Sequence, residues 1–349
     1  MTGRTTAWCL AIVLAVAAGR TLAADAKPYK SEPGPHKVTV QTLDWHDAAR
    51  RDRLVPAKIY HPAGGEGPWP VVIVSHGLGG SRDGLEYLGR HWAGHGYVSV
   101  HLQHLGSDTA VWKGKADPMA SMREAVADVS NAVARPADVS FAIDQVTKMQ
   151  AGDGPLAGRL DLERIGMAGH SFGAWTTLAV AGLGGRRPLF RDGRIQAAVA
   201  MSAPAAKPQQ RDRAYRHIRI PILHMTGTLD DSSIRDTKAA ERRIPFDHID
   251  GAPQYLVTLE GGDHMVFSGK RRRAVSRLSG TDGDAAKDAR FHDLIRQATT
   301  AFWDAYLRED AVARQWLDEG GFQAVLDGDG TFEQKPPAGA SDTPARKAG

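Results

Sequence analysis

The chain has 349 residues, 42% of them hydrophobic, which is enough for one large buried core, and α/β domains of this size commonly stay single. Its formal charge is +4, and loss of a leader ending at Ala23 would remove Arg4 and Arg20 and leave 42 basic against 40 acidic side chains, a balance that argues against a nucleic-acid-binding surface. Cys9 is the single cysteine, so a chain without that leader has no thiol for a disulfide or a cysteine–metal site.

The first residues read as a secretory signal peptide over 1–23: a start bearing Arg4, an apolar core over 7–18, and the small residues Thr21 and Ala23 ahead of Asp25. The expectation is a secreted or periplasmic protein with no stable membrane span after cleavage, because the apolar stretch is short for a span. A membrane-anchored N-terminus is the alternative; Cys9 lies at the start of the apolar core and not after it, which argues against a lipid anchor.

Residues 37–43 and 54–60, joined by a polar turn over 47–53, read as an antiparallel pair entering the sheet. The β-branched run 71–74 has the continuous apolar character of a strand covered on both faces, and it ends in Ser75-His76-Gly77-Leu78-Gly79-Gly80. A helix over roughly 84–93 and a strand over 97–100 follow. Strands that alternate with helices imply a parallel sheet with right-handed crossovers. Between 103 and 135 the pattern loosens into a loop, His104 to Asp108, and a weak helix with Met122, Val126, Val129 and Val133 on one face. The segment 105–135, with Trp112, is a candidate cap over a site. A second helix is expected to begin at Pro136, which suits a first turn, with Val139, Ala142, Ile143, Val146 and Met149 facing the core.

Residues 165–168 read as a buried strand and 174–181 as a helix, and between them stands Gly169-His170-Ser171-Phe172-Gly173. A G-x-S-x-G pentapeptide in that context is a sharp turn that lifts a serine hydroxyl out of the sheet, its glycines relieving the crowding. Without that context the pattern is an ordinary turn in a chain with 38 glycines. Further strands are expected over 195–201, 220–225 and 255–259, and a last long helix carries Phe291, Leu294, Ile295, Ala298, Phe302 and Ala305 on one stripe. The catalytic domain is expected to span 24–332, with a disordered tail over 333–349.

A serine hydroxyl needs a base to take its proton, and the base needs an acid to hold its tautomer. In this architecture they follow the nucleophile in the order acid, then histidine, each after a strand. The strand at 220–225 runs into Thr226-Gly227-Thr228-Leu229-Asp230-Asp231, and that at 255–259 into Glu260-Gly261-Gly262-Asp263-His264. Ser171, His264 and Asp230 are therefore the candidate nucleophile, base and acid. Asp231 is the alternative acid, or else the cap of a helix beginning near Ser232; Asp263 reads as a turn residue, and His224 and His248 are weaker candidates for the base. Backbone N–H groups of Leu78 and Phe172 are the candidate oxyanion donors, with His76 structural. His101 and His104 alternate poorly for one metal-binding face, so no metal site is expected. The basic run 270–273 has no interleaved aromatics and reads as a solvated loop.

Residues 74–80, 94–97, 104–108, 169–173 and 225–231 resemble the α/β-hydrolase superfamily, and more narrowly its dienelactone-hydrolase-like and platelet-activating-factor-acetylhydrolase-like branch, which includes relatives of bacterial cutinase-type polyesterases. The similarity covers about 37–317. It implies a mostly parallel central sheet with helices on both faces and carboxylic-ester hydrolysis without a cofactor, acting on a small-molecule or lipid-like ester. It also implies that Gly106-Ser107-Asp108 borders the pocket. Dienelactone hydrolases proper use a cysteine where this chain has Ser171, so a lactone substrate does not carry over. The expected protein is a secreted serine ester hydrolase; a peptidase or amidase with the same triad and a non-catalytic binding protein of this fold are the alternatives.

Overall fold

The computed structural model describes residues 28–232, 234, 236–269 and 287–338; the expected leader, the basic run 270–273 and the chain from 339 onward lie outside the described residues. Strands β1 (Val38–Asp47), β2 (Arg53–Pro62) and β3 (Trp69–Ser75) are followed by helix α1 (Glu86–Gly94) and strand β4 (Val98–Leu102). Helices α2 (Pro118–Ala127) and α3 (Val129–Ala151) lead to β5 (Leu160–His170), α4 (Phe172–Ala181), β6 (Ile195–Met201), β7 (Ile222–Leu229) and β8 (Gln254–Asp263). The chain closes with α5 (Asp288–Leu307), α6 (Ala311–Asp318), α7 (Gly321–Leu326) and β9 (Gly330–Lys335).

The nine strands form one sheet in the order β1-β2-β4-β3-β5-β6-β7-β8-β9. Pairing is parallel from β4 through β8, and antiparallel where β1, β2 and β9 close the edges. Alternate side chains of β3 explain the layering: Val72 and Val74 pack with α1 and α5 on one face, Val71 and Ile73 with α3 on the other. Large aromatics fill the first face, where Trp92 of α1 meets Trp303 of α5 edge-on at 5.8 Å. On the second face α4 lays Ala174 and Leu178 against Ala198 and Ala200 of β6. This is the α/β-hydrolase fold. Because β3, β5, β7 and β8 run the same way, their carboxyl ends share one edge, where such sheets place chemistry.

Three expectations need correction. The helix foreseen from Pro136 starts at Val129, because the Asp128 carboxylate accepts the Ser130 N–H at 2.8 Å and caps it there, leaving Pro136 inside the helix. The apolar stripe across 122–133 breaks at the same aspartate, and Val129 and Val133 are 73% and 49% exposed. Third, the chain beyond Phe332 does not leave the fold at once: residues to Lys335 pair with β8, and Lys335 Nζ bonds Asp250 at 2.9 Å. Alternation is weak in this short edge strand, which is why the sequence hid it.

Candidate active site

The site is built on the turn between β5 and α4. Ser171 sits at φ 57°, ψ −115°, a strained conformation for a non-glycine residue, and its N–H donates to Met201 O at 2.9 Å. A side chain at Gly169 would overlap the Gly173 carbonyl and one at Gly173 the Ser75 carbonyl, so both glycines of the pentapeptide are required by close backbone approach.

Strands β7 and β8 both run further than the sequence suggested, and Asp230 and His264 each follow directly on a strand end. His264 Nε2 lies 2.9 Å from Ser171 Oγ, and Nδ1 lies 2.7 Å from Asp230 Oδ1. A carboxylate only accepts, so Nδ1 carries the proton and Nε2 is free to accept from the serine. The three groups form one hydrogen-bonded line running from a partly open serine to a carboxylate with no exposed surface. The second Asp230 oxygen accepts from Thr226 Oγ1 at 2.9 Å. Burial opposes ionisation of Asp230, but His264 and then Arg242 outweigh it and hold the carboxyl below its ordinary value.

Asp231, the alternative acid, points elsewhere: it accepts from Ala239 N at 2.8 Å and Lys238 Nζ at 3.2 Å. It therefore ties down the first N–H of the turn Ala239–Glu241, and among the described residues no helix begins near Ser232 for it to cap. Asp263 accepts from the N–H groups of Met265 and Val266 at 2.9 and 3.1 Å, the turn role expected of it. His224 bonds Gln254 at 2.9 Å inside the sheet, and His248 pairs with Asp212 at 3.3 Å, so neither shares the line.

The two candidate oxyanion donors come from separate elements. Phe172 opens α4, and the carbonyl of the Ser171–Phe172 peptide accepts Trp175 N–H at 3.1 Å. Leu78 belongs to the loop after β3, where Gly77 O accepts from His76 Nδ1 at 2.6 Å and from Gly80 N at 3.0 Å. Since a peptide is planar, bonds that fix its carbonyl also fix the direction of its N–H. His76 Nε2 accepts the His104 N–H at 3.0 Å, which puts the ring proton on Nδ1 and makes His76 a structural brace, as expected. Above this loop Trp112 Nε1 donates to Gly79 O at 2.8 Å, and Gly79 N donates to Ser107 O at 2.9 Å. The segment foreseen as a cap is thus fastened to the loop bearing Leu78.

Two residues were missed in the sequence. His170, the variable position of the pentapeptide, donates from Nε2 to the His264 carbonyl at 2.8 Å and lies ring against ring with His264 at 4.8 Å. Burial, aided by His264, pushes its imidazole down to about 3, so it stays neutral and acts only as a donor. Arg242 is buried behind the line and donates to Asp230 O at 3.2 Å and Ser202 O at 2.9 Å. Its Nη2 lies 3.3 Å from His264 Nδ1, which has no free lone pair in this tautomer, while its Nε stands 3.4 Å from Asp230 Oδ1, so Arg242 is held by two main-chain carbonyls and by its ion pair with the Asp230 carboxylate. No local pattern around Arg242 distinguishes it from an exposed arginine.

Among the described residues no group of three or more His, Cys, Asp or Glu side chains could hold a metal ion, and no helix is long and apolar enough to cross a membrane. The strand order, together with a serine at the β5–α4 turn and an acid and a histidine after β7 and β8, defines an α/β-hydrolase with a candidate Ser–His–Asp triad. A family model described as PETase, PET hydrolase-like, matches residues 23–281, and the chain belongs to this family. The platelet-activating factor acetylhydrolase of Cavia porcellus is 24% identical over 297 residues, covering 75% of this chain and 63% of that protein, so the chain spans less than two thirds of this relative's length.

Proposed function

We propose that the protein hydrolyses carboxylic esters of small or lipid-like molecules through a serine acyl-enzyme. Ser171 Oγ attacks the ester carbonyl while His264 Nε2 takes its proton, and buried Asp230 holds the imidazole in register and stabilises the imidazolium that forms. The oxyanion of the tetrahedral intermediate accepts from the N–H groups of Leu78 and Phe172, whose peptides are already anchored through their carbonyls. Collapse returns the proton from His264 to the leaving alkoxide and leaves an acyl ester on Ser171. Water, deprotonated by His264, then attacks that ester and releases the acid and the free serine.

The observation that carries this reading is the unbroken line from Ser171 through His264 to Asp230 at 2.9 and 2.7 Å. Membership in the PET hydrolase-like family and the likeness to an acetylhydrolase support the same chemistry. Turnover of p-nitrophenyl acetate, butyrate and octanoate, beside the matching anilides, tests it. Ester cleavage lost in Ser171→Ala is expected. Cleavage of anilides alone would favour an amidase, and no turnover by a folded protein a binding role. Export follows from residues 1–23 in the same proposal, and mass spectrometry of protein recovered outside the cytoplasm should find a chain beginning near Asp25; an intact Met1 there would contradict it.

A further inference from the structure

Arg135 of α3 has no exposed surface, and the four partners of its guanidinium are neutral oxygens. Nε donates to Thr176 Oγ1 at 2.9 Å, Nη1 to Ser107 Oγ at 2.8 Å, and Nη2 to Ser75 Oγ at 3.0 Å and to the His76 carbonyl. The guanidinium carbon lies 4.4 Å from the centroid of the Phe172 ring. Burying a guanidinium without a carboxylate on it is costly, and burial pushes this one down to about 9 against the pull of Asp138. It remains a cation at neutral pH.

The partners fall into two groups. Ser75 ends β3 and His76 begins the loop that carries Leu78, and Ser107 reaches the same loop through its carbonyl, which accepts Gly79 N–H at 2.9 Å. Phe172 and Thr176 stand one turn apart on α4, joined by the bond from Thr176 Oγ1 to Phe172 O at 3.0 Å. We propose that Arg135 is a positioning residue for the oxyanion hole: its rigid fork sets the separation between the loop that presents the Leu78 N–H and the helix that presents the Phe172 N–H. The proposal rests on the serine-hydrolase reading above. A hole made by two elements works only if both donors meet one oxygen, and neither element alone fixes that spacing. Lysine carries the charge but not the planar fork, so it cannot reproduce these contacts.

The test compares the wild-type protein with Arg135→Lys, Arg135→Met and Thr176→Val on p-nitrophenyl butyrate and on its thiono analogue, in which sulfur replaces the carbonyl oxygen. Sulfur is a larger and poorer hydrogen-bond acceptor, so preference for the oxygen ester reports the hole. The ratio of the two kcat/KM values does not depend on how much protein is folded. The arginine variants should lose kcat on the oxygen ester by about 10- to 100-fold with KM little changed, and their oxygen-to-sulfur preference should fall about tenfold. If neither arginine variant folds, Thr176→Val, which removes the helix-side acceptor of Arg135 together with the hydroxyl's own bond to Phe172 O, decides the matter through a smaller fall in the same ratio. An active wild type whose preference survives in every folded variant overturns the positioning role, even if kcat drops. A folded wild type that turns over neither ester overturns the serine-hydrolase reading itself, and the positioning role with it.

Discussion

Asp230 and Asp231 are neighbours in the chain with opposite surroundings. Asp230 is buried, with His264 on one oxygen and Thr226 on the other, while the side chain of Asp231 is 47% exposed and bonds a turn. Asp230→Asn would favour the wrong tautomer of His264, and kcat is expected to fall on the order of 10⁴-fold, while Asp231→Asn stays within a few-fold. Steady-state kinetics of the two variants check this; equal losses would contradict it. Thr226→Val leaves a buried carboxylate oxygen without its donor and should cost about 1–3 kcal/mol in urea unfolding. The choice between the aspartates was legible in the spacing from Gly227. The reason for it, a buried pocket closed by Thr226 and Arg242, was not, because Arg242 reaches Asp230 from outside any local pattern.

At the scale of elements, the β5–α4 turn could be read from sequence because its constraint is local: two glycines, a serine, a strand before and a helix after. The segment between β4 and α3 could not, because what holds it is tertiary. Trp112 is bonded to Gly79 O, and Asn131 Nδ2 donates to Gly106 O at 2.9 Å and Ala125 O at 2.8 Å. Trp112 and Met122 both lie over Gly79, next to Leu78. Trp112→Ala should therefore shift the preference among acetate, butyrate and octanoate esters and lower kcat about tenfold, with a stability loss of about 1–2 kcal/mol. An unchanged acyl-chain profile with unchanged kcat would show that this segment plays no part in the site.

For the whole molecule, the core and sheet direction were legible in the alternation of apolar strands and amphipathic helices, whereas the polar interior was not. Burial above all pushes His91 and His170 down to about 3 and His101 and His224 down to about 4. In the unfolded chain these groups take up protons near 6.5, so between about pH 6.5 and 4 the unfolded state binds more protons than the folded one. Stability is therefore expected to fall as pH drops through that window, each histidine adding up to about 1.4 kcal/mol per pH unit. Asp138, Asp230 and Asp304 are held below their ordinary value, so their contribution is lost below about pH 4, with the same sign. Urea midpoints at pH 7.5, 6 and 4.5 should decline in that order at constant slope; a flat series would contradict the neutral buried histidines.

The proposed chemistry depends above all on Ser171 acting as a covalent nucleophile with His264 as its base. Intact-mass spectrometry after exposure to a fluorophosphonate, followed by peptide mapping, tests it most directly. One adduct per chain is expected, located on Ser171, absent in Ser171→Ala and strongly slowed in His264→Ala. No adduct on the folded wild-type protein, or an adduct that persists in Ser171→Ala, would contradict it.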